Sequence, residues 1–122
     1  MKNKYLTGNM FTKQPMAIKE TAVSRMIADW LNAKRIYNDR LNSGMVRMGK
    51  AFVFLCKKGT PDRLAIVNGR AIFIEVKQVG KKASDDQLER HKELREAGAI
   101  VLVADSFGSF LSQFTEVLKQ VC

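Results

Sequence analysis

A short stretch in the middle of the chain predicts a β-hairpin that brings two acidic residues together. Two apolar segments, residues 64–67 and 71–74, flank the dipeptide Asn68-Gly69, which favours the tight type I′ turn. Asp62 stands just before the first strand and Glu75 directly follows the second. Because a hairpin places the start of one strand beside the end of the next, we expect the two acids to converge at one edge of a sheet.

The second strand runs into Glu75-Val76-Lys77, whose residue types suit phosphodiester hydrolysis. Because side chains alternate along a strand, Glu75 and Lys77 share a face and Val76 points the other way. The carboxylates of Asp62 and Glu75 are hard oxygen ligands for Mg²⁺ or Mn²⁺, and the Val76 carbonyl can add a third oxygen. Such a cation offsets charge on the phosphoryl oxygens and makes a water nucleophilic. Lys77 would then orient that water or contact the scissile phosphate.

Each of these residues also has an ordinary structural interpretation. An aspartate after Thr60-Pro61 commonly accepts hydrogen bonds from nearby backbone amides in a turn. A glutamate and a lysine two residues apart are often a solvated pair on an edge strand. Taken singly, these interpretations are the simpler ones. The predicted hairpin joins the residues and therefore favours a shared site.

The excess of positive charge is confined to the first half of the chain. Residues 1–58 hold twelve Lys and Arg against three Asp and Glu and carry the whole net charge of +9, whereas residues 59–122 hold nine of each sign. Such an asymmetry suits the binding of a phosphate backbone. A solvated basic surface that maintains solubility explains the charge equally well.

Cysteine usage and hydropathy indicate the compartment. Cys56 and Cys122 show no spacing typical of a zinc site or of a disulfide framework. The longest apolar runs, residues 51–56 and 99–104, are too short to span a bilayer, and the first 13 residues have no apolar segment typical of a signal peptide. We therefore expect a cytoplasmic protein.

The apolar periodicity predicts a single mixed α/β domain over residues 1–122, beginning with a polar arm over residues 1–14. The expected elements are a helix over residues 17–33, a strand of mixed polarity over 35–42, a turn over 42–44, a more buried strand over 51–57, the hairpin, a helix from 84 to 97, a strand buried on both faces over 100–104 and a helix over 109–121. Ser84 and Gln87 match a capping box, and Gly98 closes the same helix. The helical crossover makes the last strand parallel to its partner.

Three polar residues on the predicted helices have more than one interpretation. Glu20 lies on the same stripe as Val23 and Ile27, so it faces inward and requires either a salt bridge or a cation as partner. Gln87 is explained by the capping box alone or by a role in the site. His91 is the single histidine of the sequence, which excludes a two-histidine mechanism. We expect it to be a half-buried helix residue or a phosphate contact.

In these residues the chain resembles the PD-(D/E)XK nuclease superfamily and, within it, the VRR-NUC family. The matching elements are, in chain order, Glu20, Asn42-Ser43-Gly44, Gly59-Thr60-Pro61-Asp62, Glu75-Val76-Lys77, Gln87 and Gly98. Six elements in order make a more specific pattern than an aspartate followed by Glu-x-Lys. The resemblance implies a restriction-endonuclease-like αβββαβ core with a mixed sheet flanked by helices, followed here by a C-terminal helix.

The resemblance also implies roles for individual residues. The implied catalytic residues are Glu20, Asp62, Glu75, Lys77 and Gln87, and the implied ligands of Mg²⁺ or Mn²⁺ are Glu20, Asp62, Glu75 and the Val76 carbonyl. Stand-alone members, many of them viral, resemble Holliday-junction resolvases, which implies a homodimeric endonuclease acting on structured or branched DNA. A viral member would act in the cytoplasm of its host cell.

Five basic residues are candidate contacts to DNA. Lys81 and Lys82 come shortly after the strand that ends in Glu75-Val76-Lys77. Arg63 follows Asp62 directly, and Lys57 and Lys58 precede Gly59-Thr60-Pro61-Asp62. The alternative function is a non-catalytic DNA-binding module on a nuclease-like fold. The retained acids argue against it, since a site without metal chemistry has no reason to place carboxylates facing a phosphate.

Overall fold

The computed structural model describes residues 19–41 and 45–122, which form three helices and six strands. In chain order these are α1 (Glu20–Ala33), β1 (Tyr37–Arg40), β2 (Met45–Met48), β3 (Ala51–Phe54), β4 (Arg63–Val67), β5 (Arg70–Val76), α2 (Asp85–Glu96), β6 (Ile100–Ala104) and α3 (Phe107–Val121). The predicted mixed α/β class is confirmed. None of the described helices is both long and apolar enough to cross a bilayer.

Four strands form a mixed sheet in the order β1, β4, β5, β6. Strand β4 is antiparallel to β1 and β5, and β6 is parallel to β5, as a connection through α2 requires. The hairpin between β4 and β5 is the predicted one. Its turn residues Asn68 and Gly69 have φ angles of 50° and 76°, as a type I′ turn demands. Strands β2 and β3 pair in a separate two-stranded sheet.

An apolar core lies between one face of the main sheet and helices α1 and α3. Its buried members are Val23, Ile27, Leu31, Ala65, Ile72, Ile74, Val76, Leu102, Ala104, Phe110, Phe114 and Val117. The helical members recur every three or four residues and the strand members every two, so each element turns one apolar side inward. Trp30 packs edge-on against Phe110 and Phe114, with ring centroids 5.7 Å apart in both pairs.

Helix α2 packs on the opposite face of the sheet mainly through polar contacts. The buried side chain of α2 is His91, whereas Leu88 is 55% exposed. The predicted capping box is present, because the Ser84 hydroxyl accepts from the Gln87 N–H and the Gln87 Oε1 accepts from the Ser84 N–H. From the middle of the helix, Arg90 Nε donates to the Lys58 carbonyl. Contacts of charged side chains thus attach α2 to its neighbours, whereas α1 and α3 are attached by apolar burial.

Two expectations about the burial of strands are wrong. Strand β3 is exposed, with Phe52 64% accessible, because it pairs with β2 outside the main sheet. Strand β6 is not covered on both faces, since it lies at an edge of the described sheet and Val103 is 37% exposed. Strand β2 was not predicted. The polar arm, the start of the first helix and the turn at 42–44 lie outside the described residues.

Candidate active site

Gly59 holds the loop before β4 against the beginning of α2. Its φ is +85°, and a Cβ at this position would lie 2.3 Å from the carbonyl oxygen of Asp86 and 2.8 Å from the backbone nitrogen of Gln87. Only glycine combines this left-handed conformation with so close an approach of two backbones. The glycine of the Gly-Thr-Pro-Asp motif therefore has a structural reason, which is to dock the loop on the helix.

The remaining residues of the motif carry the chain from this docking point to Asp62. The N–H and the hydroxyl of Thr60 both donate to the Lys57 carbonyl, at 3.1 and 2.6 Å, and Pro61 is buried. The Asp62 carbonyl then accepts from the Leu41 N–H at 2.7 Å, which continues the pairing of β1 with β4. Asp62 consequently stands at a fixed position where β4 begins.

Where β5 extends past the start of β4, two carboxylates accept the backbone N–H groups that a neighbouring strand would otherwise bind. Backbone N–H groups alternate in direction along a strand. The Lys77 N–H donates to the Ala104 carbonyl beside β6, while the Val76 N–H donates to Asp62 Oδ2 at 3.0 Å and the Gln78 N–H donates to Glu20 Oε1 at 2.8 Å. Glu20, Asp62 and Val76 line a common cavity of about 80 Å³.

Glu75 is buried beside Asp62 and His91. Its side chain is 2% exposed, and its Oε1 lies 3.6 Å from His91 Nε2 without a hydrogen bond to either atom from the described residues. Burial, a side-chain hydrogen bond with Asp62 and the charge of Asp62 raise the pKa of Glu75 to about 9, against the opposing effect of Lys77. Burial and the nearby charges of Arg95 and Lys77 lower the pKa of His91. Near neutral pH both buried groups are therefore uncharged.

Strand alternation separates the three acids into two groups. Val76 belongs to the apolar core with α1, so Glu75 points to the opposite face, toward α2. Glu20 comes from α1, and Asp62, at the edge of the sheet, reaches both Glu20 and Glu75. Within the described residues, no group of three His, Cys, Asp or Glu side chains is arranged to hold one metal ion. The site is a chain of acids with Asp62 in the centre.

The donor chemistry of this chain fits a hard divalent cation held by two carboxylates. Mg²⁺ usually takes one or two carboxylates from a protein and retains several waters, and the cavity between Glu20 and Asp62 has room for such waters. The buried Oε1 of Glu75 lacks a partner among the described residues, and the raised pKa of this group marks a place where a positive charge would stabilise the ionised form. The ligand roles of Glu20, Asp62, Glu75 and the Val76 carbonyl stay predictions.

Lys77 and Gln87, the other two residues expected in the site, differ in their surroundings. Lys77 is half-buried and close enough to Glu75 and His91 for its charge to act on the pKa of both. The Gln87 Oε1 is occupied by the Ser84 N–H in the capping box. A catalytic role for either side chain stays a prediction, and the capping contact accounts for the position of Gln87 by itself.

The five basic residues predicted to contact DNA lie at different distances from the acids. Lys81 lines a cavity with Lys19, Glu20 and Gln78, and Lys82 is exposed beside it. Lys57 and Lys58 form exposed salt bridges to Glu93 and Asp86 of α2, at 3.7 and 3.1 Å. Arg63 lies on the other side of Asp62, half-buried, with its Nη1 donating to Asn38 Oδ1.

Sequence reasoning missed the burial of His91 against Glu75 and the position of Arg40 beside Asp62. The spacing of His91 one turn after Gln87 was a usable signal, because residues four apart on a helix share a face. The position of Arg40 follows from the pairing of β1 with β4, which places it directly opposite Arg63. No local pattern encodes the register of a strand joined by so long a connection.

Comparison with known proteins supports the mixed α/β fold and a similarity to nucleases. No protein-family model matches the chain. A protein of Acyrthosiphon pisum secondary endosymbiont phage 1, described as "Putative nuclease p44", is 45% identical over 56 residues, which are 45% of this chain and 60% of that protein's length. The match thus spans less than two thirds of the phage protein.

Two solved structures share the architecture. One, described as "VRR_NUC domain protein", superposes with a TM-score of 0.67 and 20% identity over 86% of this chain and 92% of its own. The other, described as "VRR_NUC domain", has a TM-score of 0.58 and 26% identity over 82% of this chain and 94% of its own. The chain therefore has the fold of the VRR-NUC domain, as its motifs indicate.

Proposed function

We propose that the protein is a divalent-metal-dependent endonuclease that hydrolyses phosphodiester bonds in structured or branched DNA, in the manner of a resolvase. The observation that carries this proposal is the position of Asp62. Its carboxylate is fixed by the Val76 N–H, shares a cavity with Glu20 and lies close enough to the buried Glu75 to raise the pKa of that group. Carboxylates crowded in this way repel one another unless a proton or a cation lies between them.

A bound Mg²⁺ or Mn²⁺ would supply Lewis acidity toward the scissile phosphate and lower the pKa of water. The chain's own groups fix the geometry in which this happens. The N–H groups of Val76 and Gln78 hold one oxygen each of Asp62 and Glu20, so neither carboxylate has to reorganise during the reaction. Both ligands would thus be preorganised by β5.

Glu75 and Lys77 would adjust the net charge next to these two ligands, Glu75 by releasing a proton and Lys77 by its positive charge. Glu75 retains its proton near neutral pH, and a positive charge bound beside Asp62 would favour its release. The Lys77 ammonium lies near the same carboxyl and can neutralise negative charge that accumulates when a phosphate arrives. His91, neutral and buried on the far side, keeps water away from Glu75.

DNA as substrate is supported by the charge distribution and by the comparisons. The whole net charge of +9 lies in residues 1–58, and Lys19, Lys81 and Arg40 line the cavities that contain Glu20 or Asp62. Positive charge beside the acids attracts the polyanion whose phosphate the acids would process. We further propose a homodimer, because a two-fold axis would place two identical sites on a two-fold-related junction.

The proposal is tested by incubating the protein with four-way-junction, flap, linear duplex and single-stranded DNA, each with Mg²⁺, Mn²⁺ or EDTA. We expect cleavage that requires metal and is fastest on the branched substrates. The mass of the protein in solution, free and bound to a junction, tests the homodimer. Salt-sensitive binding without cleavage of any substrate would instead favour a non-catalytic DNA-binding module.

Variants locate the activity in the proposed site. Asp62→Ala and Lys77→Ala are each expected to reduce cleavage by at least about a hundredfold, since each removes a charge that acts in the transition state. Asp29→Ala removes an exposed acid from α1 and serves as the control. Full activity in either site variant, with an unchanged circular-dichroism spectrum, would contradict the assignment.

A further inference from the structure

Three arginines surround a cavity next to the acids. The cavity has a volume of about 380 Å³ and is lined by Thr21, Ser24, Arg25, Ala28, Arg40 and Arg63. We refer to these six residues as the arginine pocket. Its lining contains no acidic side chain among the described residues, so the charge of three guanidinium groups is concentrated around an open space.

Within the described part of the chain, this concentration of charge is compensated only at longer range, by Asp39 and Asp62 acting on Arg63. Arg40 and Arg63 lie directly opposite each other on β1 and β4, where like charges are unfavourable. None of the three arginines forms a salt bridge to a carboxylate of the described residues within 4.0 Å. Asp39, the neighbouring acid on β1, accepts from the Arg40 N–H, and alternation points its side chain to the opposite face of the sheet.

One atom of Arg63 also lacks a partner. Its Nη1 donates to Asn38 Oδ1, but its Nε is buried without a hydrogen-bond partner among the described residues. A buried, unpaired guanidinium N–H costs free energy, so the described residues leave Arg63 incompletely satisfied. The exposed Arg25 and Arg40 offer their guanidinium groups to an anion in the pocket. Burial and the proximity of Arg40 lower the pKa of Arg63, against the opposing effect of Asp39 and Asp62.

The helical wall of the pocket completes an anion site. Ser24 and Arg25 each lie three or four residues from both Thr21 and Ala28, so these four residues form one stripe of α1. Two of them carry hydroxyl groups that donate hydrogen bonds to phosphate oxygens. The small side chain of Ala28 leaves the volume open. Planar guanidinium groups above such a wall match the geometry of a phosphate.

The arginine pocket is continuous with the proposed catalytic cavity. Thr21, Ser24 and Arg40 line both cavities, and the second one also contains Glu20 and Asp62. On its other side, Glu20 and Thr21 also line the cavity of Lys19 and Lys81. A groove thus runs along the first two turns of α1, with acids in its centre and cations at both ends.

We propose that the arginine pocket binds the backbone phosphate adjacent to the scissile one, and that Arg25, Arg40 and Arg63 thereby set the register of the DNA strand over Asp62. This inference rests on the proposed function, because a phosphate is scissile only if the protein cleaves DNA. The binding of an internal phosphodiester by the pocket is independent of cleavage, and it can be measured without it.

The first experiment measures binding in EDTA, so that no cleavage occurs, with duplex and four-way-junction DNA that lack terminal phosphates. Arg25 and Arg40 are exposed, so Arg25→Gln and Arg40→Gln are expected to preserve the fold. The double variant should bind about tenfold or more weakly. Its plot of log K against log salt concentration should become shallower by about 0.9, because one phosphate of the DNA is no longer neutralised by the protein.

Arg70→Gln is the matched control. Arg70 is an exposed arginine beside the Asn68-Gly69 turn, at the end of the hairpin opposite to Asp62. This substitution removes the same kind of charge, so a general effect of net charge would appear in this variant as well. Equal decreases in affinity for Arg70→Gln and for the pocket variants would overturn the proposal.

The second experiment replaces single phosphates of the DNA with neutral methylphosphonates, one position at a time. The wild type should bind more weakly when one specific position is replaced, and the double variant should be insensitive to that replacement because it no longer binds that phosphate. Where the wild type cleaves DNA with metal, that position should be adjacent to the cut. Uniform decreases at every position in both proteins would overturn the inference, whereas a position-specific decrease without cleavage would retain it and reject the nuclease.

Discussion

The two faces of the main sheet are stabilised by different physical means. On the side of α1 and α3, the buried residues are apolar and include Phe110 and Phe114. On the side of α2, the buried residues include Glu75 and His91, and Arg90 and Arg95 of the helix donate to carbonyl groups of the neighbouring chain segments. Hydrophobic burial is non-directional, whereas polar groups are fixed by specific partners. The apolar face therefore provides most of the stability. The polar face holds the buried Glu75, while Glu20 reaches the candidate site from α1, beyond the apolar core.

The largest contrast between the faces is expected from truncating an apolar side chain on each. Phe110→Ala removes a fully buried ring from the α1 and α3 side and should lower the free energy of unfolding by about 3–5 kcal/mol. Leu88→Ala on α2, where the side chain is 55% exposed, should change it by less than about 0.5 kcal/mol. Urea denaturation of both variants checks this prediction. Similar decreases would mean that α2 also packs through apolar burial.

The second effect concerns the docking of α2 through Gly59. Gly59→Ala introduces a Cβ 2.3 Å from a backbone oxygen at a φ of +85°. The clash and the strain together should cost about 2–4 kcal/mol. Gly69→Ala is the control, since Gly69 also has a positive φ but an open surrounding. A Gly59 variant no less stable than the Gly69 variant would show that the loop does not depend on this contact.

The third effect is a dependence of stability on pH that only the polar face can produce. Above pH 6.5 the native state retains the Glu75 proton up to a pKa of about 9, while the unfolded chain, with the ordinary value of 4.5, has released it. Unfolding then releases a proton, so the free energy of unfolding falls as pH rises toward 9, by up to about 1.4 kcal/mol per pH unit.

Glu75→Gln isolates this contribution. The amide cannot ionise, so the variant should lack the slope between pH 6.5 and 9 and be more stable than the wild type at the alkaline end. Glu116→Gln changes an exposed glutamate and should retain the slope. Thermal denaturation in EDTA at several pH values measures the difference. A slope that persists in Glu75→Gln would assign it to another group.

The smallest effect separates capping from catalysis at Gln87. Ser84→Ala removes the hydroxyl that accepts from the Gln87 N–H and should cost about 1 kcal/mol of stability without changing the rate of cleavage at saturating metal and DNA. Gln87→Ala removes the reciprocal contact. If Gln87 also acts in the site, this variant should cleave much more slowly than Ser84→Ala. Equal rates in both variants would leave Gln87 a capping residue.

Much of the α/β arrangement was predictable because its signals are local. The Asn68-Gly69 turn, the capping box of Ser84 and Gln87, and the apolar stripes of α1 and α3 each depend on residues within a few positions of one another. The exposure of β3 and of one face of β6 was predicted wrongly. Whether an apolar strand is covered depends on its place in the sheet, and the strand's own residues do not determine that place.

The candidate site was predictable in its residue types and less so in its geometry. The convergence of Asp62 and Glu75 follows from local signals, because a tight hairpin places the start of one strand beside the end of the next. Packing across the domain was needed to turn Glu75 toward His91 and to bring Glu20 in from α1. The same holds for the pocket that Arg25 and Arg40 form with Arg63. The two kinds of feature differ in the sequence separation of the residues that determine them. Turns and caps are set by neighbours in the chain, whereas the register of β1 on β4 and the docking of helices are set by packing across the whole domain.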